Sequence, residues 1–168
     1  MNEERLILGI DPGYGRAGYA IIATQGSALQ LVACDTIITP QGLAYPERLQ
    51  HLYEELREVI TRYCPREAAI EKLFFGKNAP TAIAVAQARG VTLLALVQSG
   101  ISIAEYTPNE VKLAVTGYGA ATKGQVGDMV RLLLHLSSVP RPDDSADAAA
   151  IAICHAHTLR IPTSSMLQ

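Results

Sequence analysis

The chain has no tryptophan, two phenylalanines and three cysteines, none of them in a CxxC pair. Cys34, Cys64 and Cys154 stand far apart, so they read as reduced thiols serving as small core residues, not as a disulfide frame or a zinc site. Neither sign of charge dominates. Fourteen basic residues face 16 acidic ones, a formal net charge of −2, which gives no general pull toward nucleic acid or an anionic membrane. The longest apolar run, VTLLALV (Val91–Val97), is far too short to cross a bilayer. The opening MNEERL lacks the apolar stretch of an export signal. No repeat, linker or low-complexity tract interrupts the sequence. These absences lead us to expect a cytoplasmic protein, without a membrane association, folded as a single domain over residues 1–168.

What is present supports a packed core. Hydrophobic residues make up 49% of the 168 and charged ones 18%, a globular balance with enough chain to bury a sizeable interior. Charge is uneven along the chain. Lys72 to Gly127 carries five basic residues against two acidic ones, whereas Leu43 to Glu71 carries four arginines against six glutamates. The basic part is able to face a polyanion.

RLILGID, AGYAIIAT and ALQLVACDTIIT read as three strands joined by glycine-rich turns, an antiparallel meander. From Tyr45 to Tyr63, Leu49, Leu52, Leu56, Val59 and Ile60 recur at three- and four-residue steps, predicting a helix stopped near Pro65. EAAIEKLFF (67–75) is a strand candidate. The Ala-rich stretch 79–98 is a helix apolar nearly all round, as befits a central packing element or a subunit contact. ISIAEY (101–106) is a further strand, and 108–116, 124–137 and 143–159 read as helices. This order predicts an α/β fold with a mixed five-stranded sheet, in which sites form beyond the carboxyl ends of the parallel strands.

One of these strands ends on an acid and another carries one late in its run. LILGIDPG brings Asp11 to the close of an apolar run, and AIEKLFF sets Glu71 among Ala69, Ile70 and Leu73. An isolated carboxylate in such surroundings is costly. In PDDSADAAAIAIC, Asp144 and Asp147 are three apart and share a helix face with Ile151 and Cys154. Singly, each aspartate is explained by helix capping and the helix dipole. Together, four inward acids without evident Lys or Arg partners call for cations, and all-oxygen ligation selects Mg²⁺, Mn²⁺ or Ca²⁺. Paired ions of this kind serve phosphodiester cleavage. Periodicity alone leaves Asp143 and Asp144 as equal candidates. The histidines are left out of the site: His155 and His157 point apart on a helix, and His51 and His135 stand alone on theirs.

ILGIDPG…GYA, AIEKLFFGKNA, AQARGV, EYTPNEVKLAVTGYGAATKGQV and DDSADAAAIAICHAH, in that order, resemble the RuvC-type Holliday-junction resolvases, or crossover junction endodeoxyribonucleases, over roughly Leu6 to His157. The resemblance implies a ribonuclease H-like fold and a Mg²⁺-binding quartet falling on Asp11, Glu71, Asp144 and Asp147, with two ions per subunit and Mn²⁺ as a substitute. It implies that Lys112 and Lys123 lie near the scissile phosphate and that Phe74, or Phe75 in its place, stacks on opened bases. Lys77 and Arg89 are expected as DNA-backbone contacts. A homodimer packed through the 79–98 helix would place two sites on a four-way junction, and paired nicks would leave 5′-phosphate ends. Association with branch-migration proteins is also implied. Three other readings compete. An actin- or sugar-kinase-type ATP site needs a second glycine-rich domain that this length does not supply. A noncatalytic junction-binding module has no need of all four acids. A nuclease for RNA/DNA hybrids leaves the lysine segments and the apolar helix unexplained.

Overall fold

A computed structural model describes residues 4–73 and 79–159. Five strands, β1 (Arg5–Asp11), β2 (Arg16–Gln25), β3 (Ala28–Ile38), β4 (Glu67–Glu71) and β5 (Ser102–Tyr106), form one sheet in the order β3-β2-β1-β4-β5. The first three are an antiparallel meander, and β1, β4 and β5 run parallel. The mixed sheet expected from the element order is the one observed.

Helices α1 (Tyr45–Tyr63) and α2 (Ala79–Gln98) cover one face; α3 (Pro108–Thr116), α4 (Lys123–Leu133) and α5 (Asp143–Thr158) cover the other. Strand parity divides the core. Leu8, Ile10, Ala68 and Ile70 point toward α1 and α2, whereas Ile7 and Ala69 point toward α5. Asp11 and Glu71 continue the Ile7/Gly9 and Ala69 rows. They therefore leave adjacent strands on the α5 face, one residue beyond the paired Ile10 and Ile70.

Glycine lets α5 sit unusually close to that face. A Cβ at Gly9 would collide with the carbonyl oxygen of Ala148 and lie 2.8 Å from the Ala152 Cβ. One at Gly18 would collide with the carbonyl oxygen of Asp144. The facing alanines, Ala148 and Ala152, are fully buried. The Ala-rich sequence of α5 thus reflects close approach as much as helix propensity.

Two element ends and one apolar window differ from the sequence reading. β4 ends at Glu71, four residues short of Phe75. α4 ends at Leu133, and His135, expected on that helix, sits in a left-handed turn at φ 53°. The window Thr81–Gln98 of α2 is long and apolar enough, by length and composition, to cross a bilayer, a property hidden when unbroken apolar runs alone are counted. Its Ala88, Ala95 and Leu96 are packed into the core beside α1, which accounts for the hydrophobicity of that side.

The glycine contact can be tested directly. Gly18→Ala is expected to cost about 1–3 kcal/mol through overpacking and to lower Tm by about 2–4 °C for each kcal/mol. A thermal melt matching the wild type would show that α5 does not press on β2.

Candidate active site

At the carboxyl ends of β1 and β4 lies a cleft of about 210 Å³. Asp11, Glu71 and Asp147 line it together with Lys112 and Lys123, and Pro108, Val111, Val126 and Ile151 form its apolar wall. Its two helical sides are set by capping boxes. Thr107 accepts from the Glu110 amide at 3.1 Å while the Glu110 carboxylate accepts from the Thr107 amide at 2.7 Å, which starts α3 and places Lys112 one turn in. Thr122 and Gln125 repeat the device at 3.2 and 2.8 Å, leaving Lys123 as the first residue of α4.

The acids feel one another. Asp11 is pushed up from 3.8 to about 7, first by burial and then by the charges of Asp147, Glu71 and Asp144, with Lys123 partly offsetting them. Glu71 is raised by burial and by Asp147, and Lys112 opposes that shift. Side chains from β1, β4 and α5 therefore act as one negative cluster. Asp143 stands outside it. It is exposed, pairs with Arg141 and lies 4.0 Å from the Lys123 ammonium.

The sequence reading anticipated no cationic partners for these acids, and for two of them the structure corrects it. Arg16 Nε donates to Asp144 Oδ2 at 2.8 Å, and Lys123 Nζ lies 2.8 Å from Asp147 Oδ2. Among the described residues, Asp11 and Glu71 have no ion-pair partner within 4.0 Å. Nor do any three His, Cys, Asp or Glu side chains among them stand close enough to share one ion as placed, two of the carboxylates being drawn to Arg16 and Lys123. The donor set still fits a hard divalent cation, because it is all oxygen and leaves Asp11 and Glu71 uncompensated.

Arg89 is engaged inside the protein. Its guanidinium donates to the Glu71 carbonyl oxygen at 3.3 Å and pairs with Glu105. With only 15% of the side chain exposed, it braces the end of β4 behind the cleft, so the expected role as a DNA-backbone contact finds no free guanidinium there. Phe74, Phe75 and Lys77 lie outside the described residues. His155 is buried away from the cleft, where Tyr106 Oη lies 2.8 Å from its Nδ1 and Glu67 Oε2 lies 3.0 Å from its Nε2.

Arg16 is the residue that the sequence reading missed. It follows the glycine-rich PGYG turn as the first residue of β2, and its partner is 128 residues away. Gly9 and Gly18, isolated inside strand patterns, were the available signal for a close backbone approach.

A family model for crossover junction endodeoxyribonuclease RuvC matches residues 7–155. The chain belongs to the RuvC family. A RuvC from Chloroflexus aggregans is 56% identical over 151 residues, covering 90% of this chain and 92% of that protein. A RuvC from Thermotoga maritima is 52% identical over 150 residues, covering 89% of each. The solved structure of Thermus thermophilus RuvC in complex with a Holliday junction substrate superposes with a TM-score of 0.88 at 34% identity, covering 93% of this chain and 95% of that one. The ribonuclease H-like fold is therefore that of RuvC, and RuvC proteins are metal-dependent endonucleases.

The raised pKa of Asp11 has a measurable consequence in the metal-free protein. The folded state holds a proton up to about pH 7 that the unfolded chain loses near 3.8, so stability falls as pH rises through that window. Asp11→Asn removes the penalty. In chelator, its gain over the wild type should grow from about pH 4, level off above about pH 7 and reach at most about 4 kcal/mol. Urea melts across pH check this; a variant less stable than the wild type at pH 8 would contradict the assignment.

Proposed function

We propose that the chain resolves four-way DNA junctions in recombination and repair, each of two subunits nicking one strand. Asp11, Glu71, Asp144 and Asp147 are the groups that hold divalent ions, two per subunit, with Mg²⁺ the natural choice and Mn²⁺ a substitute. The observation that carries this reading is a set of acids buried together, Asp11 being lifted to about 7 first by burial and then by the charges of Asp147, Glu71 and Asp144, since a protein with no use for cations would gain stability by losing those acids. The same set argues against a noncatalytic binding module. When bound, the ions supply charge neutralisation, a polarised water and stabilisation of the leaving oxygen at the scissile phosphate.

The chain's own residues do the remainder. Lys123, with 62% of its side chain exposed, is placed to exchange Asp147 for a phosphate oxygen. Lys112 biases Glu71 toward its ionised form. The apolar wall of Val111, Val126 and Ile151 narrows the space open to water around the acids. Phe74 or Phe75, just after β4, serves for stacking on an unpaired base, and Lys77 for contact with the DNA backbone. The Thermus thermophilus relative, solved with a Holliday junction, supports the substrate.

Helix α2 supports a paired geometry. Ile83, Gly90, Leu94 and Val97 are exposed along one side at steps of seven, four and three. Ile83 is 62% exposed, Leu94 51% and Val97 65%, a stripe without charge that fits a second copy of itself across a two-fold axis. Nothing lies within 4 Å of a Cβ built at Gly90, so a partner helix has room to approach. The dimer acts in the cytoplasm, alongside proteins that migrate the branch point.

Purified protein incubated with a synthetic four-way junction, a linear duplex and an RNA/DNA hybrid tests the reading. Symmetrical nicks are expected on the junction alone and only with Mg²⁺ or Mn²⁺. Asp147→Asn should abolish cutting while leaving junction binding within a few-fold; equal loss of both would make the acid structural. By sedimentation the wild type should be a dimer and Leu94→Asp a monomer. A wild-type monomer bound to the junction would remove the paired-site mechanism.

A further inference from the structure

Asp11, Glu71 and Asp147 wall the cleft, whereas the carboxylate of Asp144 is engaged beside it by a cation from a different element. That cation is placed by the backbone. Arg16 opens β2 two residues before Gly18, so the two share a strand face. Gly18 is the notch against the Asp144 carbonyl, and a side chain at position 16 must then run along the first turn of α5. The Arg16 Nε meets Asp144 Oδ2 at 2.8 Å.

The pair is built to exchange. Arg16 is 50% exposed and Asp144 29%, so their contact lies on the rim of the site, where an ion pair adds little stability. A guanidinium cannot discharge by losing its proton. The pair therefore opens when one of the two side chains swings away. Lys123 engages Asp147 from the other side, but its ammonium lines the cleft itself. Arg16 approaches from β2, outside that wall.

We propose that Arg16 is a positioning residue, an internal counter-ion that holds Asp144 aside in the metal-free protein and yields it when a divalent cation is taken up. The inference rests on the reading of the four carboxylates as a metal site. In this chain, the metal concentration at which the site fills is set partly by an arginine on the rim of the site. Neutralising residue 16 frees an oxygen ligand and removes a competing positive charge, and both changes favour uptake.

The test uses the full-length protein without DNA, titrated with Mn²⁺ at low salt while free Mn²⁺ is read by electron paramagnetic resonance. Arg16→Gln is expected to bind about two- to fivefold more tightly than the wild type, the range set by the strength of an exposed ion pair. Arg16→Lys, which keeps the cation, should stay near the wild type. Arg141→Gln removes another exposed arginine nearby, one that pairs with Asp143 and not with Asp144, and should change the affinity little. Melts in chelator confirm that the variants fold. Unchanged or weaker binding by Arg16→Gln overturns the inference, as does equal tightening by Arg141→Gln, which would reduce the effect to general charge. A wild type that takes up no Mn²⁺ overturns the metal-site reading itself, and this inference with it.

Discussion

The backbone of α5 rests against β1 and β2 where Gly9 and Gly18 leave no side chain, and the rest of the site depends on that contact. Asp144 and Asp147 lie in the first turns of α5, and Asp11 closes β1, so the depth at which the helix seats fixes how near their carboxylates come. Burial of Ala148, Ala149, Ile151 and Ala152 holds the seat. A larger residue at either glycine would lift the helix and spread the acids. Packing and electrostatics are therefore opposed here, the hydrophobic core holding together charges that repel.

That opposition is only half relieved within the chain. Arg16 and Lys123 take up Asp144 and Asp147, while Asp11 and Glu71 have no ion-pair partner among the described residues. Asp11, buried first and repelled by the other acids second, holds its proton to near neutrality. Hard divalent cations would relieve the same repulsion without a proton, and they suit an all-oxygen set. Arg89 contributes from behind by tying the Glu71 carbonyl to Glu105, which steadies the β4 end of the site.

Much of this architecture was legible in the sequence because it rests on periodicity. The apolar runs LILGI and AAI mark Asp11 and Glu71 as acids carried on strands, and the three-residue spacing in DDSAD puts two aspartates on one helix face; that β4 stops at Glu71 beside the end of β1 is known from the structure. Choosing Asp144 over Asp143 took the family resemblance, since both lie near the inward face. In the structure it is Asp144 whose charge bears on Asp11, with Asp143 drawn to Arg141. Contacts between distant segments left no such trace. Arg16 follows a turn whose glycines explain its shape without reference to Asp144, and Arg89 reads as a DNA-backbone contact until β5 places Glu105 beside it. The end of α4 at Leu133 was misjudged because Leu134 and Leu136 prolong the apolar pattern into a turn.

The central claim is that acids from β1, β4 and α5 form one binding site for divalent ions. Anomalous diffraction from a Mn²⁺-soaked crystal tests it most directly. The account predicts anomalous peaks between Asp11, Glu71, Asp144 and Asp147, with Arg16 turned away from Asp144. Full soaking with no peak there, or manganese bound only elsewhere on the molecule, would contradict it.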